Sequence, residues 1–422
     1  MSRHHRARPA SRPRREDPLS DSGPLRILVL SHMYPSPVNP TGGIFVHEQV
    51  KALRDRGHDV RVVSPKGWVP PGLSRWASYR DVKPRAELDG VQVYYPRKLT
   101  LPGARLGHRN ADAFLLGVRK TVRDIHREWP IDVIHAHMVV PDGWAAARVG
   151  HELGIPAVGT AHRADVLDIP AMGAASRMRV AEAIENLDAV VTVSRAIGQA
   201  ADAIARPRRA ITVVPNGADA TVFMPRDARV ARERLGLDPD APTISYVGKL
   251  VPRKGVDDLI EAMGILARRP EGAPALVMAG IGEMRGPAEA RARELGIADR
   301  ITWLGKVPHD DVGWVMSAGD VFVLPSLSEG LPTVVCEAMA CGLPVVATAV
   351  DGTPEIVDDP ATGLLVQPKD PVGLAAALAR VMGDAALRAA MGVEALRRSE
   401  ADYTWAANAL RMEDVYRRVI AT

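Results

Sequence analysis

Two glutamates, Glu329 and Glu337, stand eight positions apart in EGLPTVVCEAMACGLPVVAT (329–348), among residues that are otherwise small or apolar. Inside one helix that spacing would splay them by about 80°. DVFVLPS (320–326) reads as a strand, so Glu329 falls in the loop after it, a loop kept tight by Gly330 and Pro332. A helix that starts near Thr333 puts Glu337 about one turn inside, and both carboxylates then face one crevice. The helix start also offers the free N–H groups of Thr333 and Val334 to an anion. Carboxylates beside a phosphate repel it unless they accept hydrogen bonds from hydroxyls. The pair therefore asks for a ligand that carries both a phosphate and a diol.

Other stretches supply the complementary groups. VGKLVPRKGVDDL (247–259) reads as strand, basic loop and helix, with Lys249, Arg253 and Lys254 gathered at the strand's carboxyl end. Point charges and a guanidinium fork suit a diphosphate; the plainer reading is a solvated basic turn. NPTGGIFVHE puts Gly42 and Gly43 directly before a helix, where a ligand can approach backbone N–H groups, although an ordinary loop pair reads the same way. AVGTAHRADV places His162 and Asp165 just past another strand, and His135 and His137 end a further one. A histidine there can bind a sugar hydroxyl or move a proton, or simply be structural. Together these groups suit a nucleotide sugar. No Asp-x-Asp pair stands at a strand end in the crevice, which argues against a catalytic divalent metal, and no cofactor beyond the nucleotide co-substrate is expected. AGIGEMRG (279–286) fails the GxGxxG dinucleotide spacing because its third glycine comes one place late.

These groups need a scaffold that sets strand ends opposite one another. Short β-branched runs alternate with helical patterns: RILVL (26–30), HDVRVVSP, IDVIHAH, PAVGTAH and AVVTVS (189–194). The series restarts at ITVVPNG (211–217) and continues through TISYVGKL, ALVMAGIG, ITWLGKV, DVFVLPS and LPVVAT (343–348). Such alternation predicts parallel sheets with helical crossovers. The fold class is α/β: two doubly wound parallel-sheet domains, spanning 25–207 and 208–402, with a hinge near ARPRRA. A helix over 403–422 follows, with Trp405, Leu410, Val415 and Tyr416 as docking residues. Open α/β sheets bind ligands at the carboxyl ends of their strands, so two facing domains enclose a cleft.

Composition bounds the rest. The 422 residues suffice for two or three domains, with 46% hydrophobic and 25% charged residues. Cys336 and Cys341 are the only cysteines, so no disulfide framework exists and both read as small buried residues of a reducing compartment. Six arginines occur by residue 15. We read residues 1–24 as a solvated disordered tail, with a contact to an acidic membrane surface as the sharper alternative. Regions 66–80 and 97–110 read as basic Pro/Gly-rich loops. Aromatics are only 4% of the chain, which weighs against nucleic-acid binding. No apolar stretch is long enough to span a bilayer, and a cytoplasmic, peripheral location is expected.

Taken in order, GGIFVHEQVKAL, DVIHAH, AHRADV, VVPNGAD, VGKLVPRKGVDDLIEA, ITWLGKV and DVFVLPSLSEGLPTVVCEAMACGLPVVAT, then GTPEIV and GLLV, resemble the family-4 retaining glycosyltransferases of GT-B fold, over about Arg26 to Tyr416. The resemblance implies that Gly42 and Gly43 approach the donor phosphates and that Lys249 and Lys254, with Arg253 beside them, hold the diphosphate. It implies Glu329 near the donor sugar, Glu337 on the ribose, His162 near the transferred sugar, backbone near Val307 under the base, and Leu331, Thr333 and Val334 on the donor. His137, Arg163 and Asp165 become acceptor-side candidates, for a sugar, lipid-linked or small-molecule acceptor. The terminal helix is expected to return to the first domain. Two positions depart from the family: lysine stands at 249 where arginine is common, and Arg163 stands where glycine is common. The GGIFVHEQ opening is most similar to enzymes of cell-wall or capsular polysaccharide synthesis, teichuronic acid among them. The implied reaction is hexosyl transfer with retained configuration from a UDP- or GDP-sugar, by front-face attack with the leaving diphosphate as base. The rivals are a sugar-nucleotide 2-epimerase and a non-catalytic nucleotide-sugar-binding subunit.

Overall fold

The computed structural model describes residues 23–68, 74–99 and 110–422. The basic tail and parts of the two basic loops named above lie outside the described residues. The first sheet has eight strands in the spatial order Thr212–Val213, Ala189–Thr192, Ala157–Ala161, Val133–His137, Arg26–Leu30, Asp59–Val63, Val91–Tyr94 and Arg85–Leu88. All neighbours pair in parallel except the last two strands, which form an antiparallel hairpin. The central strands are buried on both faces, which is why they read as continuous apolar runs rather than alternating ones.

The second sheet runs Ile301–Gly305, Ala275–Ala279, Thr243–Val247, Val321–Leu324, Val345–Thr348 and Gly363–Val366, all parallel. In each sheet the chain winds outward from one strand and then restarts beside it. The restart lies between Arg26–Leu30 and Val133–His137 in the first sheet, and between Thr243–Val247 and Val321–Leu324 in the second. Adjacent loops diverge there and leave a crevice at the carboxyl ends. The loops carrying Lys249 to Lys254 and Glu329 flank the second crevice.

Three expectations need correction. Thr212–Val213 pairs with Val191 and Thr192, so the strand assigned to the second series closes the first sheet. The chain therefore crosses after 213 rather than near ARPRRA, and Ala218 N–H donates to Tyr403 O (2.7 Å) where the chain returns. The hairpin Arg85–Leu88/Val91–Tyr94 lies where no strand was read. Leu410 is 49% exposed rather than docked, because it sits about 140° around the helix from Trp405.

The helix Trp405–Ile420, capped by Thr404, does return to the first domain. Its Trp405, Ala409, Met412, Val415, Tyr416 and Val419 join one apolar cluster with Ile27, Val46, Val50 and Leu53. The Tyr416 hydroxyl bonds His135 Nδ1 (2.8 Å), and His135 Nε2 bonds Thr160 Oγ1 (2.8 Å). Tyr416→Phe leaves a buried imidazole nitrogen without its partner and should cost about 1–3 kcal/mol of stability. Urea unfolding checks this; an unchanged midpoint would show that the bond contributes nothing.

Candidate active site

The wall contributed by the second domain is built by two loops stitched together. Gly255 has φ 63°, and a Cβ there would lie 1.8 Å from Pro325 O. Only glycine permits this approach, and it brings the basic loop against the loop of Glu329. Leu327 N–H then donates to Arg253 O (2.8 Å), and Arg253 Nη1 donates to Ser328 O (2.8 Å). Lys254 Nζ meets Glu329 Oε1 at 2.5 Å, and Ser326 Oγ donates to the same oxygen at 2.6 Å. Arg253 Nη1 lies 3.7 Å from Glu329 Oε2. Asp351 accepts from Ser328 Oγ (2.6 Å) and from Glu329 N–H (2.7 Å), fixing the loop's far side. Lys249 is exposed and pairs with no described residue. The first two glycines of AGIGEMRG serve packing: Cβ atoms at Gly280 and Gly282 would meet Gly248 O and Leu250 O at 1.8 and 2.1 Å.

The helix after Glu329 spans Thr333–Ala340 and has no side-chain cap. The N–H groups of Thr333 and Val334 find no acceptor among the described residues; Thr333 Oγ1 accepts from Asn216 Nδ2 at 3.3 Å. Leu331 is buried beneath this turn. Glu337 is half-buried one turn inside, and no described residue donates to its carboxyl. Burial, with the Glu48 carboxyl adding to it, pushes the Glu337 acid up to about 8. Val307, two residues past the strand Ile301–Gly305, packs against the apolar cluster of Ala231, Val277, Ala279, Val315 and Ala318.

The first domain forms the opposite wall. Gly43 has φ 74°, and a Cβ there would lie 2.4 Å from Met33 O, so only glycine lets the helix Ile44–Asp55 start so close to the preceding loop. A Cβ at Gly42 would strike Asn39. Phe45, in that helix's first turn, packs edge-on against His162, with ring centres 4.8 Å apart. His162 Nε2 lies 3.2 Å from His137 Nδ1, and the two rings stack. Burial, then nearby His32, pushes His162 down to about 3, and burial lowers His137 well below its ordinary value. Both imidazoles are therefore neutral at physiological pH and act as hydrogen-bonding groups rather than charges.

The domains touch at this point. A Cβ on Gly330 would lie 2.0 Å from His162 O, and Ser194 Oγ donates to Gly330 O at 3.0 Å. His162 and Glu329 thus belong to one crevice. Gly42 and Gly43, Lys254, Thr333, Val334 and Glu337 are gathered about it.

Two acceptor-side candidates, Asp165 and Arg163, are bonded to protein groups. Asp165 is fully buried, and its oxygens accept N–H bonds from Val139 (2.8 Å), Arg163 (3.0 Å) and His162 (3.1 Å). It clamps two strand-end loops. Arg163 turns toward the second domain, donating Nε to Ser328 Oγ (2.8 Å) and Nη1 to Asp168 (2.6 Å). It braces the interface. His137 lies 1% exposed behind His162.

Sequence reasoning missed His32, Asp142, Glu48 and Lys51. Asp142 Oδ2 holds His32 Nδ1 at 2.5 Å, and Oδ1 accepts from His32 N–H at 2.7 Å. Lys51 bonds Glu48 at 2.9 Å and lies 3.6 Å from Asp219, across the crevice mouth. A histidine directly after the first strand was a visible signal. Its aspartate, 110 residues later, was not.

Residues 42–222 match the family described as Glycosyltransferase Family 4, and residues 227–398 match Glycosyl transferases group 1. A putative teichuronic acid biosynthesis glycosyltransferase of Bacillus subtilis, TuaC, is 31% identical over 408 residues, covering 94% of this chain and 100% of that protein. This chain belongs to the group 1 glycosyltransferases. The D-inositol 3-phosphate glycosyltransferase of Stackebrandtia nassauensis is also 31% identical, with 92% and 90% of the two chains covered. Among solved structures, a sucrose-phosphate synthase from Thermosynechococcus elongatus superposes with a TM-score of 0.76 at 25% identity, covering 94% and 99%. Anabaena HepE, solved in complex with UDP, gives 0.72 at 20% identity, covering 93% and 100%. The two facing parallel-sheet domains of this glycosyltransferase are the GT-B fold.

The glycosyltransferase keeps the Glu337 proton up to about pH 8, whereas an unfolded chain loses it near 4.5. Stability attributable to this group therefore falls as pH rises through that window. Glu337→Gln should raise the melting temperature of ligand-free protein at about pH 8.5, with the gain closing near about pH 4.5. Thermal melts at both values check it; an equal shift at both would contradict a buried, proton-holding acid.

Proposed function

We propose that this glycosyltransferase moves a hexosyl group from a nucleoside diphosphate sugar to an acceptor hydroxyl with retained anomeric configuration, in building a cell-wall or capsular glycan. The observation that carries the reading is Glu337, a half-buried carboxyl with no partner among the described residues, next to two unused helix N–H groups. A buried acceptor without donors is costly, and a ribose diol supplies two. The diphosphate then lies over the N–H groups of Thr333 and Val334, with Lys249 free to reach it and Arg253 and Lys254 behind. Glu329, already neutralised by Lys254, is left one oxygen for a sugar hydroxyl. Support also comes from relatives: HepE has been solved with UDP and with UDP-glucose, and the catalytic domain of Arabidopsis thaliana starch synthase IV with ADP. TuaC is named for teichuronic acid biosynthesis.

In this reading the bond from the anomeric carbon to the diphosphate oxygen breaks while the acceptor oxygen attacks from the same face. The departing diphosphate takes the acceptor proton. Cations and helix N–H groups stabilise the charge that develops on it, so the reaction needs no divalent metal. Neutral His162 holds a hydroxyl of the transferred sugar. Gly330 and Arg163 bring the walls together and exclude water, which would otherwise hydrolyse the donor.

Lys254→Ala should lower kcat/KM at least about tenfold, roughly 1.4 kcal/mol, in a nucleotide-release assay; unchanged kinetics would remove Lys254 from the site. Proton NMR of the first product should show the donor's anomeric configuration, and inversion would overturn the front-face route.

A further inference from the structure

The first sheet's crevice holds a second set of charged groups that the donor does not use. Beyond the carboxyl ends of Asp59–Val63 and Val91–Tyr94, the chain forms a short parallel ladder, Lys66–Gly67 with Arg97–Lys98. The ladder carries two lysines, Lys66 and Lys98. Lys66 is buried, yet its needs are met by neutral groups. Its Nζ donates to Tyr34 O (3.2 Å) and Ser64 Oγ (3.0 Å) and lies 5.2 Å from the Tyr95 ring centre.

Lys98 differs. It is half-buried, with Nζ 6.0 Å from the Phe114 ring centre, and that Nζ makes no hydrogen bond or ion pair with any described residue. The acid whose charge it feels is Asp142, and both Asp142 oxygens are already bonded to His32. Burial depresses both lysines, Lys66 to about 8 with Lys98 adding to the effect. A half-buried ammonium whose N–H bonds find no acceptor among the described residues is the counterpart of Glu337 on the other wall: each is a half-buried group open to a ligand.

His32 completes the set. Asp142 is fully buried and holds Nδ1, leaving Nε2 as the ring nitrogen without a partner on a side chain that is 32% exposed. A carboxylate that accepts Nδ1–H fixes the tautomer in which Nε2 accepts a hydrogen bond. Nε2 is therefore the ring nitrogen left to hydrogen-bond a hydroxyl.

We infer that the acceptor of this glycosyltransferase is a hydroxylated compound bearing a phosphate, with the phosphate on Lys98 and a hydroxyl on His32 Nε2. This rests on the facing wall being the donor site. The phosphate belongs either to a soluble sugar or polyol phosphate or to the head of a lipid carrier, and the chemistry at Lys98 is the same for both.

The test uses the full chain saturated with whichever nucleoside diphosphate it binds, so that the donor site is filled. Glucose 6-phosphate, glucose, inorganic phosphate and vesicles carrying a phosphorylated polyprenol are then titrated in turn. At least one phosphate-bearing probe should bind, and glucose should bind at least about tenfold more weakly than glucose 6-phosphate. Lys98→Met should weaken the phosphate probes by a similar factor with nucleotide affinity unchanged. His32→Asn, whose amide can still donate to Asp142, should weaken glucose 6-phosphate but not inorganic phosphate. Binding by vesicles alone that is lost in Lys98→Met supports the inference and assigns the phosphate to a lipid. Binding of no phosphate probe, or binding indifferent to Lys98→Met, overturns it. If no nucleotide binds, the donor reading fails by itself, and the same probes titrated against nucleotide-free protein still decide Lys98.

Discussion

The Lys254–Glu329 ion pair joins the two loops at the switch point of the second sheet, and the crevice takes its shape from that junction. The pair is largely buried, with side-chain exposures of 14% and 8%. An isolated charge there would carry a large desolvation penalty; the two together, with Ser326 and Arg253 around them, do not. Gly255 makes the junction possible by letting one loop lie on the carbonyl of Pro325. Once Glu329 is held, the chain has three residues to reach the helix Thr333–Ala340, and the start of that helix points its free N–H groups at the space in front of the pair.

Glu337 gains its meaning from the contrast. Two carboxyls of similar sequence surroundings end in opposite states: Glu329 has a cation and a hydroxyl, and Glu337 has neither. The first builds the wall and the second is left for a ligand. The first domain repeats this division. Asp165 and Asp142 spend every oxygen on loops and on His32, whereas Lys98 and His32 Nε2 are left open.

Much of this arrangement was legible in the sequence. The strands at both switch points are buried on both faces, so they appear as apolar runs with clear ends, and Lys249, Lys254 and Glu329 follow from those ends. Gly42 and Gly43 were legible as glycines that let a ligand reach backbone; Gly43 also lies against Met33 O, which the sequence did not show. Other features were hidden for physical reasons. Of the hairpin Arg85–Leu88/Val91–Tyr94, the first strand is the sheet edge, where RAEL carries little apolar signal. Thr212–Val213 reads equally well as the last strand of one sheet or the first of the next, and only pairing decides. Arg163 and Asp165 were placed on the acceptor side because they follow a strand. Position along the chain does not say which way a side chain turns, and one turned to the other domain while the other turned inward. The His32–Asp142 contact joins loops 110 residues apart and leaves no local trace.

The account depends on Glu337 being the group that receives a ribose diol. The most direct test is calorimetric titration of UDP, GDP and ADP into the wild-type protein and into Glu337→Gln. The account predicts that one nucleotide binds clearly better than the other two, that its affinity falls at least about tenfold in Glu337→Gln, and that its binding releases protons to the buffer at about pH 7 as the carboxyl ionises. Equal affinity in both proteins, with no proton release, would contradict it.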